Sequence, residues 1–251
     1  MDLNNPEIRQ GLLADRLGTG VQIVAAEVAQ EFDVSIDTIR RDIIALEGAG
    51  VAHRVRGGAV PVSAPAAPMH QRASAPKPAL EQMATAALAR LGSCQTLALD
   101  GGSSVLSLAR QLPASQDVLI VTPSPWIAVA CHERGLQVFQ LGGKLSARGG
   151  IAISEPAQTQ MAGIRVDLAV LGSCGVDSEF GLSCDEYEEV AIKKALVAAA
   201  DRSFVLADKS KLGLRARHHT MPLDRIDLVV TDASASETDI ALEQNVDVLH
   251  A

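Results

Sequence analysis

The sequence predicts an α/β protein of two unequal domains, a small helical module closed by a hairpin and a larger domain around a mostly parallel sheet. Three observations predict it. The apolar residues keep a helical period through about the first 50 positions and then alternate as far as Val60. After residue 78 they gather into short uniform runs that alternate with amphipathic segments. Between the two, the period disappears among Pro61, Pro65, Pro68, Pro76 and Pro78. Uniform apolar strands between helices describe a sheet covered on both faces. Prolines lack an N–H and bias the preceding residue towards extended backbone, so the middle stretch favours neither helix nor central strand. The expected division is 1–60 for the first domain, 61–78 for a linker and 79–251 for the second domain, both of ordinary domain size.

Each element has a local cause. Asn5-Pro6-Glu7 sets a capping residue, a first-turn proline and a first-turn acid ahead of Ile8, Leu12 and Leu13, which starts a helix. A second helix is expected from Val24 to Phe32. A third begins at Ser35, whose hydroxyl caps the segment Ile36 to Leu46, and Gly48 and Gly50 end it. Val51 to Val60 alternates and turns on Gly57-Gly58 as a short hairpin does. Beyond the linker, strands are expected at Thr96–Leu99, Val118–Val121, Val138–Leu141, Leu168–Leu171, Phe204–Ala207 and Ile226–Val230. Helical patterns such as Ser103–Leu112 and Glu186–Ala200 separate them, and no repeat of fixed period is found.

Composition narrows the function. The chain has 251 residues, 47% hydrophobic and 21% charged, ordinary values for a folded protein. A net charge of −8 argues against coating nucleic acid with the whole surface, so any contact with DNA is local. Aromatic residues make up 2%, too few for the stacking platforms of single-strand or RNA binders. No apolar stretch approaches the roughly 18 residues that span a bilayer, and the N-terminus lacks the pattern of a signal peptide. A soluble, cytoplasmic protein with no membrane partner is expected. Cys94, Cys131, Cys174 and Cys184 match neither a disulfide framework nor a zinc spacing and read as reduced structural thiols. His218-His219, without other clustered ligands, does not make a metal site. No metal and no cofactor are expected.

On a wheel, Ile36, Ile39, Ile43 and Leu46 of the third helix form one inward stripe. Asp37, Thr38 and Arg41 then face the other way, with Arg40 on the flank. An arginine fork takes guanine O6 and N7 or a phosphate, and threonine hydrogen-bonds a base or touches a thymine methyl. Arg54 and Arg56, two apart on one hairpin strand, share a face from which they can grip phosphates. Together these describe a winged helix-turn-helix. Spacing alone also allows a purely structural three-helix module, since the segment up to Val60 holds six Lys/Arg against nine Asp/Glu.

In the second domain, the strand Thr96–Leu99 runs through Asp100-Gly101-Gly102-Ser103-Ser104 straight into a helix. Glycines let backbone approach an anion, and free N–H groups with the helix dipole favour negative charge there. An ordinary tight turn with a serine cap fits the same residues. The loop is neither GxGxxG nor GxxxxGK, which argues against a dinucleotide or ATP. Other loops that follow strands collect at the same sheet edge: Thr122-Pro123-Ser124, Gly142-Gly143-Lys144, Gly172 to Asp177 with Gly175 inside it, and Asp208 to Lys211. Glu189 and Lys193, four apart on a helix, read as a surface ion pair.

Two motifs bear on these choices. Val34-Ser35-Ile36-Asp37-Thr38-Ile39-Arg40-Arg41-Asp42-Ile43 resembles the "vS..TIRRDL" signature of the DeoR family of bacterial transcription regulators, and Arg54-Val55-Arg56-Gly57-Gly58-Ala59 resembles its wing. The likeness continues through Leu99 to Ser104, Leu141 to Gly143, Gly172 to Asp177, Glu189 to Leu196 and Ala207 to Gly213, which look like the DeoR-type sensor domain. The resemblance implies a Rossmann-like α/β sensor similar in fold to ribose-5-phosphate isomerase, joined to an operator-binding winged helix-turn-helix.

It implies operator contacts from Ser35, Thr38, Arg40 and Arg41. It also implies a phosphorylated sugar effector held by Asp100, Gly101, Gly102, Ser103 and Ser104, with Lys211 as a cationic contact. Thr122, Ser124, Gly143, Lys144, Gly175 and Asp177 complete the candidate effector set. One departure stands out: Thr122-Pro123-Ser124 replaces the family's Thr-Asn-Ser and loses an amide. Double-stranded operator DNA with two half-sites calls for a homodimer or homotetramer. The alternative is a sugar-phosphate isomerase carrying a helix-turn-helix module, for which Asp177, Glu189 and Lys211 supply the residue types.

Overall fold

The computed structural model describes residues 3–18, 22–55, 57–61, 66–74, 77–242 and 246–251, and the chain divides into two units, 1–64 with 213–215 and 65–212 with 216–251. In the first unit, α1 (Pro6–Gly18) opens with Asn5 Oδ1 accepting the Glu7 N–H at 2.9 Å. The short strand β1 (Ile23–Val24) leads into α2 (Ala25–Glu31). α3 (Ile36–Gly48) starts where Ser35 Oγ accepts the Thr38 N–H at 3.1 Å, the cap expected from sequence. β2 (Ala52–Val55) and β3 (Gly58–Pro61) form the hairpin, and β1 adds to it in the antiparallel order β1-β3-β2. Two residues carry too little periodicity to announce β1. Gly58 admits it, because a Cβ there would lie 1.8 Å from the Ile23 carbonyl oxygen.

Leu13, Leu17, Ile23, Val28, Ile39, Ile43 and Leu46 fill the core of this unit. Ile36 does not join them. It stands at the first turn and is 42% exposed, because the buried stripe is centred on Ile39, Ile43 and Leu46 and takes in Asp42 instead. Asp42 is reached by Arg9 of α1, whose Nε and Nη2 donate to the carboxylate at 2.6 and 3.1 Å.

The second unit opens with α4 (Met69–Arg72) and α5 (Pro78–Leu88). The expected unstructured linker therefore holds a helical turn. Met69 is buried, and its N–H donates to the Arg148 carbonyl at 2.8 Å, so tertiary packing overrides the proline-rich composition.

There follow β4 (Thr96–Leu99), α6 (Ser103–Ala109), β5 (Leu119–Thr122), α7 (Pro125–Glu133), β6 (Gln137–Gln140), α8 (Glu155–Ala162) and β7 (Val166–Gly172). Next come β8 (Gly175–Asp177), β9 (Gly181–Cys184), α9 (Tyr187–Ala198), β10 (Ala200–Leu206), β11 (His218–Met221), β12 (Leu228–Thr231), α10 (Ala235–Leu242) and β13 (Asp247–His250). Seven strands make one sheet in the order β13-β12-β10-β7-β4-β5-β6, every neighbouring pair parallel. β8, β9 and β11 form a separate antiparallel sheet.

Apolar clusters cover the main sheet on both faces, one around Leu99, Leu106, Ile127 and Val170, the other around Val121, Leu171, Ile192 and Val205. The six expected strands are all present with ends shifted by a few residues. The sequence does not announce β13, since Asp-Val-Leu-His is short and half polar, as an edge strand can be.

Candidate functional site

Two sites stand out, one on each unit. On the first, α3 turns its outer face to solvent. Ser35, Arg40 and Arg41 are exposed and Thr38 half-buried. Ser35 and Thr38 hydroxyls bond to each other at 2.8 Å, and Arg40 Nη1 donates to Asp37 Oδ1 at 2.9 Å. On the hairpin, Arg54 is exposed and its Nε lies 3.6 Å from Glu47 Oε2. Arg56 lies outside the described residues. The outward face of α3 thus presents arginine forks and short hydroxyls on a helix held by a closed core.

On the second unit, the strand order reverses between β4 and β7: β5 and β6 follow β4 on one side, β10, β12 and β13 follow β7 on the other. A crevice opens outside the carboxyl ends of strands at such a point. It is lined by Gly101, Gly102, Ser103 and Ser104 after β4 and by Gly172, Ser173 and Cys174 at the end of β7 and just beyond it. Gly102 sits at φ +100 in the N-cap position of α6, where a glycine has no side chain to cap the helix. The first-turn N–H groups there have no acceptor within the helix.

Behind this loop, Asp100 is fully buried and pairs with the Lys193 ammonium. Asp100 Oδ2 also accepts the Gly172 N–H at 3.1 Å, and Lys193 Nζ donates to the Gly172 carbonyl at 3.0 Å. Burial works against charge on Lys193, but the carboxylates of Asp100 and Glu189 outweigh it and push its pKa up. Arg72, Arg148 and Lys211 complete a set of four cations on the pocket wall. Glu186 accepts the backbone N–H of Arg148 at 2.8 Å, and Glu189 Oε1 accepts the Ser146 hydroxyl at 2.8 Å, so the start of α9 holds the loop that follows β6. Burial raises the Glu189 pKa against the opposing pull of Lys193.

Three buried polar atoms at this crevice, Asp100 Oδ1, Ser104 Oγ and Asp185 Oδ1, have no hydrogen-bond partner among the described residues. Buried polar groups are nearly always satisfied, so three together call for polar atoms from elsewhere.

The structure brings together some of the sequence-predicted residues and not others. Gly101 to Ser104 and Lys211 line one pocket, with Asp100 directly behind. Thr122, Ser124, Gly143, Lys144, Gly175 and Asp177 do not line it. Thr122 Oγ1 accepts the Ser124 N–H at 3.1 Å, and both belong to the β5 end, one strand away from the reversal. Gly143 and Lys144 follow β6, two strands away, where the Lys144 N–H donates to Ser154 Oγ at 3.1 Å. Gly175 and Asp177 leave the main sheet in β8, and Asp177 Oδ1 closes a turn by accepting the Glu179 and Phe180 N–H groups at 3.0 and 2.6 Å.

Glu189 and Lys193 are not a surface pair: both are buried, and the lysine turns to Asp100. Sequence reasoning missed Arg72, Arg148 and Asp185, which sit in no motif. Cys174 is in the pocket wall, and burial, with Asp185 nearby, pushes its thiol to about 11, so it is neutral at ordinary pH. Among the described residues no cluster of three His, Cys, Asp or Glu could hold a metal, and no helix is long and apolar enough to cross a membrane. His218 and His219 pack edge-on against Tyr187 and Phe180.

Known proteins share both sites' scaffolds. The sequence model of the DeoR-like helix-turn-helix domain matches residues 9–64, and that of the DeoR C terminal sensor domain matches residues 79–233. The HTH-type transcriptional regulator GlpR of Haloferax volcanii is 31% identical over 225 residues, covering 89% of this chain and 87% of that one. The glycerol-3-phosphate regulon repressor of Escherichia coli is 29% identical over 209 residues, covering 82% and 83%. Among solved structures, ribose 5-phosphate isomerase A from Neisseria gonorrhoeae is 13% identical, covers 55% of this chain and 54% of that one, and superposes with a TM-score of 0.40. The isomerase alternative falls, because both matched domain models are regulatory ones. A reading helix on the first unit and a ligand-sensing domain on the second, each matched over most of its length, make this chain a member of the DeoR family of transcriptional regulators.

Proposed function

We propose that this regulator is a repressor that grips double-stranded operator DNA through Ser35, Thr38, Arg40 and Arg41 of α3 with Arg54 and Arg56 of the wing, and releases it in response to a phosphorylated sugar. The DNA-binding domain is 1–60, the connection 61–78 and the sensor 79–251. The protein acts in the cytoplasm as a homodimer or homotetramer, because paired half-sites need paired helices.

The observation that carries the effector assignment is the crevice with three unpartnered buried polar atoms and four cations on its wall. A phosphate suits the Gly102–Ser104 turn and the cations, and a chain of hydroxyls suits Asp100, Asp185 and Glu186. The name of the E. coli relative, a glycerol-3-phosphate regulon repressor, supports a polyol phosphate.

The test is a melting-temperature screen of the full chain with hexose and glycerol phosphates beside their unphosphorylated counterparts. A ligand present at about a hundredfold its Kd stabilises by about 2.7 kcal/mol. Phosphorylated compounds alone are expected to raise the transition. Ser104→Ala should reduce that rise, while Arg41→Ala should weaken duplex binding and leave the rise intact. A screen in which no phosphate raises the transition, or in which the dephosphorylated partner works equally well, overturns the effector assignment.

A further inference from the structure

The exposed face of α3 carries four side chains at i, i+3, i+4 and i+7: Asp37, Arg40, Arg41 and Ile44. This spacing makes one continuous stripe on a helix. Three of the four are charged. Ile44 is 50% exposed and lies opposite the buried row of Ile39, Ile43 and Leu46. The core of the unit closes without it. A β-branched residue is a poor choice for an exposed helical position on propensity alone, where alanine or a straight-chain polar residue does better.

We infer that Ile44 is a base-reading residue that packs on the C5-methyl of a thymine in the operator major groove. The inference rests on the operator reading above and extends it to a position that reading leaves out. Charge complementarity fixes the occupant. Arg40 and Arg41 flank Ile44 on the same stripe and suit a polyanionic duplex, and Arg40 is steered by Asp37 at 2.9 Å. Thymine's methyl is the one apolar group that the base edges of the major groove display. A helix lying in that groove between two arginines therefore meets a methyl wherever Ile44 falls over a thymine. The arginines take phosphate or guanine on either side.

The experiment uses the full chain throughout. Binding sites are selected from a random duplex library, and each thymine of the selected site is then replaced by uracil, which removes only the methyl group. The unaltered protein is expected to bind about fourfold more weakly per half-site at one thymine position, the value of one buried methyl. Ile44→Ala should be indifferent to uracil at that position while staying sensitive to changes elsewhere in the site. Ile44→Val, which keeps a branched apolar tip, should restore the preference. Alanine is the best helix former, so the helix is kept.

If Ile44→Ala retains the full uracil penalty at every position, the inference is overturned and the operator reading stands. A change in the oligomer's mass by light scattering in Ile44→Ala would place the residue in a protein interface and likewise overturn it. Selection that enriches no sequence would instead overturn the operator reading and, with it, this inference.

Discussion

Asp42 follows Arg40 and Arg41 in the chain, yet its side chain points the opposite way. Its carboxylate is almost wholly buried and takes two bonds from Arg9 and a third from Gln10 Nε2 at 3.0 Å. Arg9 Nη1 in turn donates to the Leu3 carbonyl at 2.7 Å, so the N-terminal turn, α1 and α3 meet at one guanidinium. Wheel reasoning could not find this pair. A wheel counts apolar positions, so it puts Ile36 inward and gives Asp42 no role, and the partner lies 33 positions away. Removing one member of a buried pair leaves the other charged and unsolvated, which costs about 3–5 kcal/mol. Asp42→Ala should therefore lower the stability of the first unit by that order in urea unfolding. The joint replacement of Arg9 by Met and Asp42 by Leu should recover most of it. A cost below about 1 kcal/mol for Asp42→Ala alone would mean that the pair does not orient the reading helix.

At the scale of elements, the strands were legible because each buried strand is a uniform apolar run. The loops that follow them were legible too, as Gly- and Ser-rich breaks. Which loops converge was not, because that depends on strand order. Reversal between β4 and β7 gathers Gly101–Ser104 with Gly172–Cys174 and leaves Thr122 and Lys144 aside. Nothing local to Gly143 or Asp177 distinguishes them from Gly101 in this respect.

The same packing makes Gly172 decisive. A Cβ there would stand 2.6 Å from the Gly101 carbonyl oxygen, a backbone atom that cannot swing aside. Gly172→Ala should push the two loops apart and disturb the bond that the Gly172 N–H donates to Asp100 and the one that its carbonyl accepts from Lys193. The expected cost is about 1–3 kcal/mol, with loss of the effector-dependent rise in melting temperature. An alanine variant that melts and responds like the unaltered protein would show that the pocket tolerates a wider mouth and that this close approach is incidental.

At the scale of the whole molecule, the proposed function requires that an occupied crevice be felt at the operator. The described segment 66–74 is the stretch of sensor unit through which the chain arrives from the DNA-binding unit, and it forms part of the pocket wall through Ala66 and Arg72. Its anchors are pocket groups. The Ala66 N–H donates to Asp185 Oδ2 at 2.9 Å, Arg148 Nη1 donates to the Ala66 carbonyl at 3.0 Å, and the Arg148 carbonyl accepts the Met69 N–H at 2.8 Å. A ligand that engages Arg148 or the free oxygen of Asp185 therefore acts on the groups that seat this segment. Nothing in the proline-rich composition announced such seating, because the contacts come from residues about 80 to 120 positions further along the chain.

Coupling of this kind is reciprocal and commonly amounts to about 1–3 kcal/mol, or 5- to 150-fold in affinity. Met69 does not line the pocket but is 2% exposed and seats the segment, so Met69→Ala separates anchoring from ligand contact. The variant should still melt higher with the effector, while the effector's influence on duplex affinity falls towards onefold. By the same linkage, duplex should cease to alter effector affinity. Undiminished coupling in Met69→Ala, measured in both directions, would show that the signal reaches the reading helix by another route.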